Sequence, residues 1–90
     1  MDVGLGSIVF AKAGRDKGDY FVVVACEGEY AYICDGKTRK CDKPKKKKLK
    51  HMTVTKTVSQ LIYEKLSANE KVTNNEIRRA ISEFCDNEEQ

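Results

Sequence analysis

Apolar side chains form short runs in the first half of the chain, and glycine-containing polar segments separate these runs. Residues 8–10 and 21–24 are rich in β-branched and aromatic side chains, which is typical of buried strands. The segment between them contains Gly14 and Gly18, and glycine accepts the positive φ that a tight chain reversal requires. We therefore expect the two runs to pair as a hairpin.

Three further strands are predicted between residues 30 and 55. Two tyrosines alternate with two aliphatic residues in residues 30–34, which is the period of two that a strand shows. Asp35-Gly36 is a type I′ turn signal and predicts a polar, exposed fourth strand over residues 37–41. Alternation resumes over residues 49–55, the predicted fifth strand. The lysine-rich segment between the last two strands is expected to be a loop that lies close to the first hairpin loop.

Five short strands within about 50 residues are too few to bury both faces of an open sheet. A small barrel would bury one face and protect the strand edges. The predicted fold is therefore mainly β, with a five-stranded SH3-like barrel over residues 1–56.

The hydrophobic period changes to a helical one after residue 56. Capping-box patterns, in which Thr is followed three residues later by Gln or Glu, occur at Thr57 and Thr73, and Val72 with Ile77 forms a hydrophobic staple at the second. The predicted buried faces are Val58, Leu61, Ile62 and Leu66 on the first helix, and Ile77, Ala80, Ile81, Phe84 and Cys85 on the second. Residues 57–90 thus form a helical pair with a frayed acidic tail over residues 86–90. The connection over residues 67–72 is longer than the turn of a DNA-reading helix-turn-helix, which disfavours that motif.

Positive charge is concentrated in the middle of the 90-residue chain, although the formal net charge is only +3. Residues 36–56 hold ten basic and one acidic side chain, whereas the segments on either side each carry a net charge of −3. Such asymmetry indicates a polyanionic partner, and a nucleic-acid surface is the favoured interpretation over a solvated lysine loop that has no partner.

Several other classes of function are disfavoured. The four cysteines, Cys26, Cys34, Cys41 and Cys85, form no CxxC pair, and the chain has one histidine, so we expect free thiols and no metal site. We find no catalytic serine-histidine-acid set and no phosphate loop, and we expect neither enzymatic activity nor a cofactor. No apolar stretch is long enough to span a membrane, and the N-terminal residues lack the features of a signal peptide, so a cytoplasmic location is expected.

The stretch GSIVFAKAGRDKGDYFVVV, followed by DGK, PKKKK and LKH, resembles KOW-motif proteins, with Gly18 at the position of the motif's glycine. The resemblance covers residues 5–55 and is strongest to the archaeal and eukaryotic large-subunit ribosomal KOW proteins and their short bacterial RNA-binding relatives. It implies an SH3-like barrel without catalytic activity that binds RNA, with ribosomal RNA in the ribosome as the expected target.

The resemblance also indicates which residues face the ligand. Residues 14–18, including Asp16, correspond to the ligand-facing turn of the motif. A second contact surface corresponds to the basic residues of segments 37–40 and 44–51. The candidate RNA-binding residues are Lys12, Gly14, Arg15, Lys17, Gly18, Lys37, Arg39, Lys40, Lys43, Lys45, Lys46, Lys47, Lys48, Lys50 and His51.

Two points stay open at the level of sequence. The chain is alternatively a protein-interaction module, in which an SH3-like barrel and helices bind an acidic protein of translation or transcription; the helices after Thr57 either dock on the barrel or bind a protein partner. Tyr30 and Tyr32 share a face and are able to stack on unpaired bases, but tyrosines at this spacing more often pack against neighbouring strands. Tyr20, near the first loop, is a somewhat better candidate for stacking.

Overall fold

The computed structural model describes residues 3–88, which form one antiparallel sheet, a short 3₁₀-helix and two α-helices. The strands are β1 (Ser7–Ala11), β2 (Tyr20–Glu27), β3 (Tyr30–Cys34), β4 (Lys45–Lys48) and β5 (Met52–Val58). The 3₁₀-helix η1 (Leu49–His51) joins β4 to β5, and α1 (Gln60–Ser67) and α2 (Asn74–Glu88) follow. The predicted class, a mainly β fold of five strands followed by two helices, is confirmed.

The sheet has the strand order β4-β3-β2-β1-β5, and every neighbouring pair is antiparallel. β1 and β2 form the predicted hairpin, with Val9 opposite Phe21. A register shift between Val23 and Ala25 interrupts the β2–β3 ladder, and irregularities of this kind increase local twist and bending. β4 and β5 are the two edges and are not hydrogen-bonded to each other within residues 3–88, so the sheet is open in the structure.

The predicted fourth strand is wrong, because residues 37–41 form an irregular loop. The side-chain Oδ1 of Asp35 accepts hydrogen bonds from the backbone N–H groups of Lys37 and Arg39, both at 2.9 Å. A type I′ turn needs positive φ at both central residues, whereas only Gly36 of the Asp35-Gly36 pair has one. The aspartate therefore closes a local loop instead of starting a hairpin.

The lysine run, predicted to be a loop, is the fourth strand. β4 pairs with β3, and Lys47 lies opposite Ala31. Lysine has little preference for strands, but β3 offers an unpaired edge, and an edge position leaves alternate lysine side chains in water. The fifth strand also begins later than predicted, at Met52, because η1 takes up the three residues before it.

Two hydrophobic cores lie on opposite faces of the sheet. The first is built from strand residues, including Val9, Phe21 and Ile33, which are all at most 1% exposed. The second joins Ile8, Val22 and Cys34 on the other sheet face to residues of both helices and their connection. Its helical and connecting members are Ile62, Val72, Ile77 and Phe84. The helices therefore dock on the sheet and cover one of its faces.

The second capping box is confirmed and the first is wrong. Thr73 donates its N–H to the Glu76 carboxylate at 2.9 Å, and Glu76 donates its N–H to the Thr73 hydroxyl at 3.2 Å. The ammonium of Lys65, together with these Thr73 groups, holds the pKa of Glu76 below its ordinary value of 4.5. Ser59 caps α1 instead of Thr57, which lies in β5.

The predicted apolar face of the first helix is only partly buried. Ile62 is fully buried, whereas Val58 and Leu61 are 46% and 51% exposed. On α2 the predicted face does pack against the second core. This helix continues to Glu88, so residues 86–88 of the predicted frayed tail are helical, and residues 89 and 90 lie outside the described part. Within residues 3–88, no helix combines the length and the apolar character needed to cross a membrane.

Candidate nucleic-acid interface

The first loop, residues 12–19 between β1 and β2, is held by a buried carboxylate. Asp16 is only 7% exposed and binds the Arg39 guanidinium through two hydrogen bonds, Nε to Oδ1 at 3.2 Å and Nη2 to Oδ2 at 3.3 Å. The Nζ of Lys47 lies 4.0 Å from the second carboxylate oxygen. One aspartate therefore joins the first loop to β4 and to residues 35–39, which follow β3 and which we call the 35–39 loop.

Lys47 connects β4 to the first loop directly. Its side chain points to the same sheet face as the buried Ala31, and its Nζ donates a 2.7 Å hydrogen bond to the backbone carbonyl of Ala13. The predicted proximity of the first loop and the lysine run is confirmed by this contact. Lys47 itself is only 9% exposed, so it holds the two segments together and does not present its charge to solvent.

Most of the other candidate residues are exposed. The exposed ones are Lys12, Gly14, Arg15, Lys17, Gly18, Lys37, Lys40, Lys43, Lys45, Lys46, Lys50 and His51. Arg39 and Lys48 are half-buried. The backbone N–H of Lys12 donates to the carbonyl of His51 at 2.9 Å, which holds the first loop against η1. The first loop thus contacts the 35–39 loop, β4 and η1.

Gly18 combines an unusual backbone conformation with open space. Its φ is +93°, which an L side chain rarely adopts, and a Cβ at this position would meet no protein atom within 4 Å. Its N–H donates to the carbonyl of Ala11 at 3.0 Å, which closes the loop. The backbone at Gly18 is accordingly accessible to a ligand from outside.

A second group of candidate residues lies on the outer face of β3 and β4, which we call the tyrosine–lysine face (Tyr30, Tyr32, Lys46 and Lys48). Tyr30 is opposite Lys48 and Tyr32 is opposite Lys46, so all four side chains share one face of the ladder. The Nζ of Lys46 lies 4.6 Å from the centroid of the Tyr30 ring and 6.0 Å from that of Tyr32. The Nζ of Lys48 lies 5.9 Å from the Tyr30 centroid.

Glu27 is the acidic neighbour of this face. Its carboxylate accepts a hydrogen bond from Lys46 at 3.3 Å, and this bond raises the pKa of Lys46 above its ordinary value. Both side chains are well exposed, so the ion pair contributes little to stability. Lys46 is therefore charged and can exchange this carboxylate for another anion at small cost.

The structure adds two residues that the sequence did not indicate. Arg78 of α2 donates from Nη1 to the carbonyl of Gly36 at 2.7 Å, and the Asn74 side chain accepts the N–H of Cys41 at 2.7 Å. A Cβ on Gly36 would collide with the carbonyl oxygen of Asn74. The start of α2 thus holds the loop that carries Lys37 and Arg39. Sequence offers no signal for these contacts, because they join residues more than 30 positions apart.

The sulfurs of Cys34 and Cys41 lie 3.8 Å apart at the end of the same loop. Burial raises the pKa of both thiols, and the neighbouring Cys41 raises that of Cys34 further. Protonated thiols are poor nucleophiles and poor metal ligands. Residues 3–88 contain no group of three or more His, Cys, Asp or Glu side chains that could hold a metal ion.

Comparison with protein-family models gives no match for this chain, and comparison with curated proteins gives no significant match. The resemblance to KOW proteins thus rests on the sequence motifs quoted above.

Proposed function

We propose that this chain is a non-catalytic RNA-binding protein that docks on the phosphates of structured RNA. The first loop and the lysine-rich segments after residue 36 supply the contacts. Ribosomal RNA in the cytoplasm is the target that the KOW resemblance favours. The observation that carries the proposal is the meeting of separate basic segments around one buried carboxylate, Asp16.

The charge of this surface supports a polyanionic ligand. Residues 12–19 and 37–51 contain three acidic residues. Asp16 is buried against Arg39 and Lys47, whereas Asp19 and Asp42 are exposed together with nine exposed lysine and arginine side chains. The exposed charge of these segments is therefore positive. Lysines at this density repel one another, and each phosphate that they neutralise releases condensed counterions, which favours binding.

Shape supports folded RNA as the ligand. The base edges of an A-form helix lie in a deep, narrow groove, whereas its phosphates are accessible. A rigid surface of lysine and arginine side chains can follow these phosphates without reading sequence. The internal contacts of Asp16 with Arg39 and Lys47 supply such rigidity, since they fix the first loop relative to β4.

The proposal includes an SH3-like barrel that is open between β4 and β5. Three features support it: the strand order, the sheet face that is buried without a helix residue in its core, and the reach of Lys47 from β4 to the first loop. A strongly curved sheet accounts for all three features. Curvature brings the inner face of the β4 edge towards the end of β1, where the first loop begins.

The test is the salt dependence of binding to an RNA hairpin between about 50 and 200 mM salt. If about five phosphates are engaged, the plot of log K against log salt falls with a slope of about −3.5 to −4.5. The double substitution of Arg15→Ala and Lys17→Ala is expected to reduce the size of this slope by about 1.5. Lys56→Ala is the matched control: this lysine is exposed on β5, away from the first loop, and its loss should leave the slope unchanged. Binding that does not respond to salt would overturn the proposal.

The protein-interaction alternative is favoured by a different observation. Val58, Leu61 and Tyr63, at and after the end of β5, are 44% to 51% exposed. In this alternative these apolar side chains contact a protein partner, and the basic segments bind its acidic residues. The alternative therefore predicts that an acidic peptide, such as polyglutamate, binds as tightly as RNA of equal charge. Tighter binding of the RNA hairpin supports RNA as the ligand.

A further inference from the structure

The tyrosine–lysine face differs from the rest of the sheet surface in what surrounds its aromatic rings. Tyr20, on the covered part of the same sheet face, packs edge-on against Phe84 at a centroid distance of 5.1 Å. Tyr30 and Tyr32 are half-buried, as Tyr20 is, but lysine ammonium groups lie 4.6 to 6.0 Å from their ring centroids. Packing of the core accounts for Tyr20 but not for a pair of partly exposed rings among cations.

We infer that the tyrosine–lysine face binds unpaired nucleotides of RNA, with bases stacked on Tyr30 and Tyr32 and phosphates bound by Lys46 and Lys48. This inference rests on the proposed function in one respect, namely that RNA is the ligand. It adds a second subsite, beside the phosphate-binding surface at the first loop, for a different RNA structure.

The spacing of the rings favours single-stranded RNA. Residues two apart on one strand are separated by about 7 Å. This is about twice the 3.4 Å rise per nucleotide along one strand of duplex DNA, in which the bases are stacked. Two bases that each stack on one of the tyrosines must therefore be unstacked from each other, which is the state of bases in an extended loop or at an end.

The charges on this face favour the same ligand. A nucleotide presents an aromatic base and a phosphate, and the face presents an aromatic ring with a cation next to it on the neighbouring strand. Combined stacking and cationic contacts are how proteins bind single strands without sequence preference. Glu27 competes with a phosphate for Lys46, because it already accepts a hydrogen bond from that ammonium group.

The test compares three polyanions: a short oligouridine, a blunt RNA duplex, and linear polyphosphate of matched charge. The unaltered chain is expected to bind oligouridine more tightly than polyphosphate, since only oligouridine has bases. The combined substitutions Tyr30→Leu and Tyr32→Leu are expected to weaken oligouridine binding by at least about fivefold and to remove this preference. Duplex binding should change by less than about twofold, and the salt slope for oligouridine should stay the same, because no phosphate contact is lost.

Tyr63→Leu is the matched control, since Tyr63 is 44% exposed on α1 and its loss should change none of these affinities. Unfolding in urea checks that each variant is folded. If the double tyrosine variant does not fold, Glu27→Gln provides an independent test. This exposed substitution removes the carboxylate that competes for Lys46 and is expected to tighten oligouridine binding more than duplex binding.

The outcomes separate this inference from the proposed function. Equal binding of oligouridine and polyphosphate, or unchanged oligouridine affinity in the tyrosine variant, would overturn the inference while salt-dependent duplex binding still supports the proposed function. Tyrosine-dependent binding of oligouridine without duplex binding would support the inference and overturn the proposed docking on structured RNA.

Discussion

At the scale of single residues, Asp16 joins three segments of the candidate interface. It is one of two acidic residues of the first loop, and its sequence position between Arg15 and Lys17 suggests a solvent-facing charge. The structure instead buries its carboxylate against Arg39 and Lys47. An acidic residue at the centre of a basic surface therefore does not weaken the surface, because it organises the cations that come from distant segments.

Asp16→Asn is expected to reduce the free energy of unfolding by about 1 to 3 kcal/mol. The amide keeps the shape of the side chain but carries no charge and cannot accept both hydrogen bonds from Arg39. Asp19→Asn is the matched control: Asp19 is an exposed residue of the same loop, and its substitution should change stability by less than about 0.5 kcal/mol. Urea unfolding measures both variants, and equal midpoints for the two would show that the buried ion pair does not stabilise the loop.

At the scale of elements, local pattern was sufficient for some parts of the fold and not for others. β1 to β3 were predictable, because their β-branched and aromatic runs alternate with turns, and so was the Thr73–Glu76 cap, because its bonds span only three residues. β4 was not predictable, because four consecutive lysines show no alternation of polar and apolar residues. Pairing with the free edge of β3 decides their conformation. The tyrosine–lysine face could not be predicted for the same reason, because it forms only when β4 pairs with β3.

The docking of α2 on the 35–39 loop also arises from long-range packing, and Gly36 is the position that tests it. Gly36→Ala is expected to destabilise the fold by more than Gly28→Ala. Both glycines have positive φ, +79° and +59°, so both substitutions introduce backbone strain of about 1 to 3 kcal/mol. Only at Gly36 would the new Cβ also collide with α2, at the carbonyl of Asn74, whereas the space around Gly28 is open.

Denaturant unfolding of the two glycine variants measures the difference, and amide hydrogen exchange over residues 74–81 shows whether α2 is displaced. Increased exchange in the Gly36 variant alone is the expected result. If the two variants were equally stable and exchanged alike, the contact between the loop and α2 would have no energetic role.

At the scale of the whole molecule, the sheet and the helices share a core. The sequence divides the chain near residue 56, but Ile8, Val22 and Cys34 of the sheet are buried with Ile62, Val72, Ile77 and Phe84 from the second half. We therefore expect one cooperative unit. The helices have a structural role in the interface, since they cover one sheet face and hold the loop that carries Lys37 and Arg39.

Phe84→Ala tests this cooperativity. Phe84 is 5% exposed and packs against Tyr20 of β2, so its truncation is expected to cost about 3 kcal/mol. Leu61→Ala is the control, because Leu61 is 51% exposed and its loss should cost less than about 0.5 kcal/mol.

Two signals follow the unfolding of the two parts. In a Tyr63→Phe background the fluorescence of the remaining tyrosines, at positions 20, 30 and 32, reports on the sheet, while circular dichroism at 222 nm reports on the helices. In one cooperative unit both signals shift to the same lower midpoint in the Phe84 variant. A shift of the helical signal alone would mean that the sheet folds without the helices, and that the loop of Lys37 and Arg39 does not depend on α2.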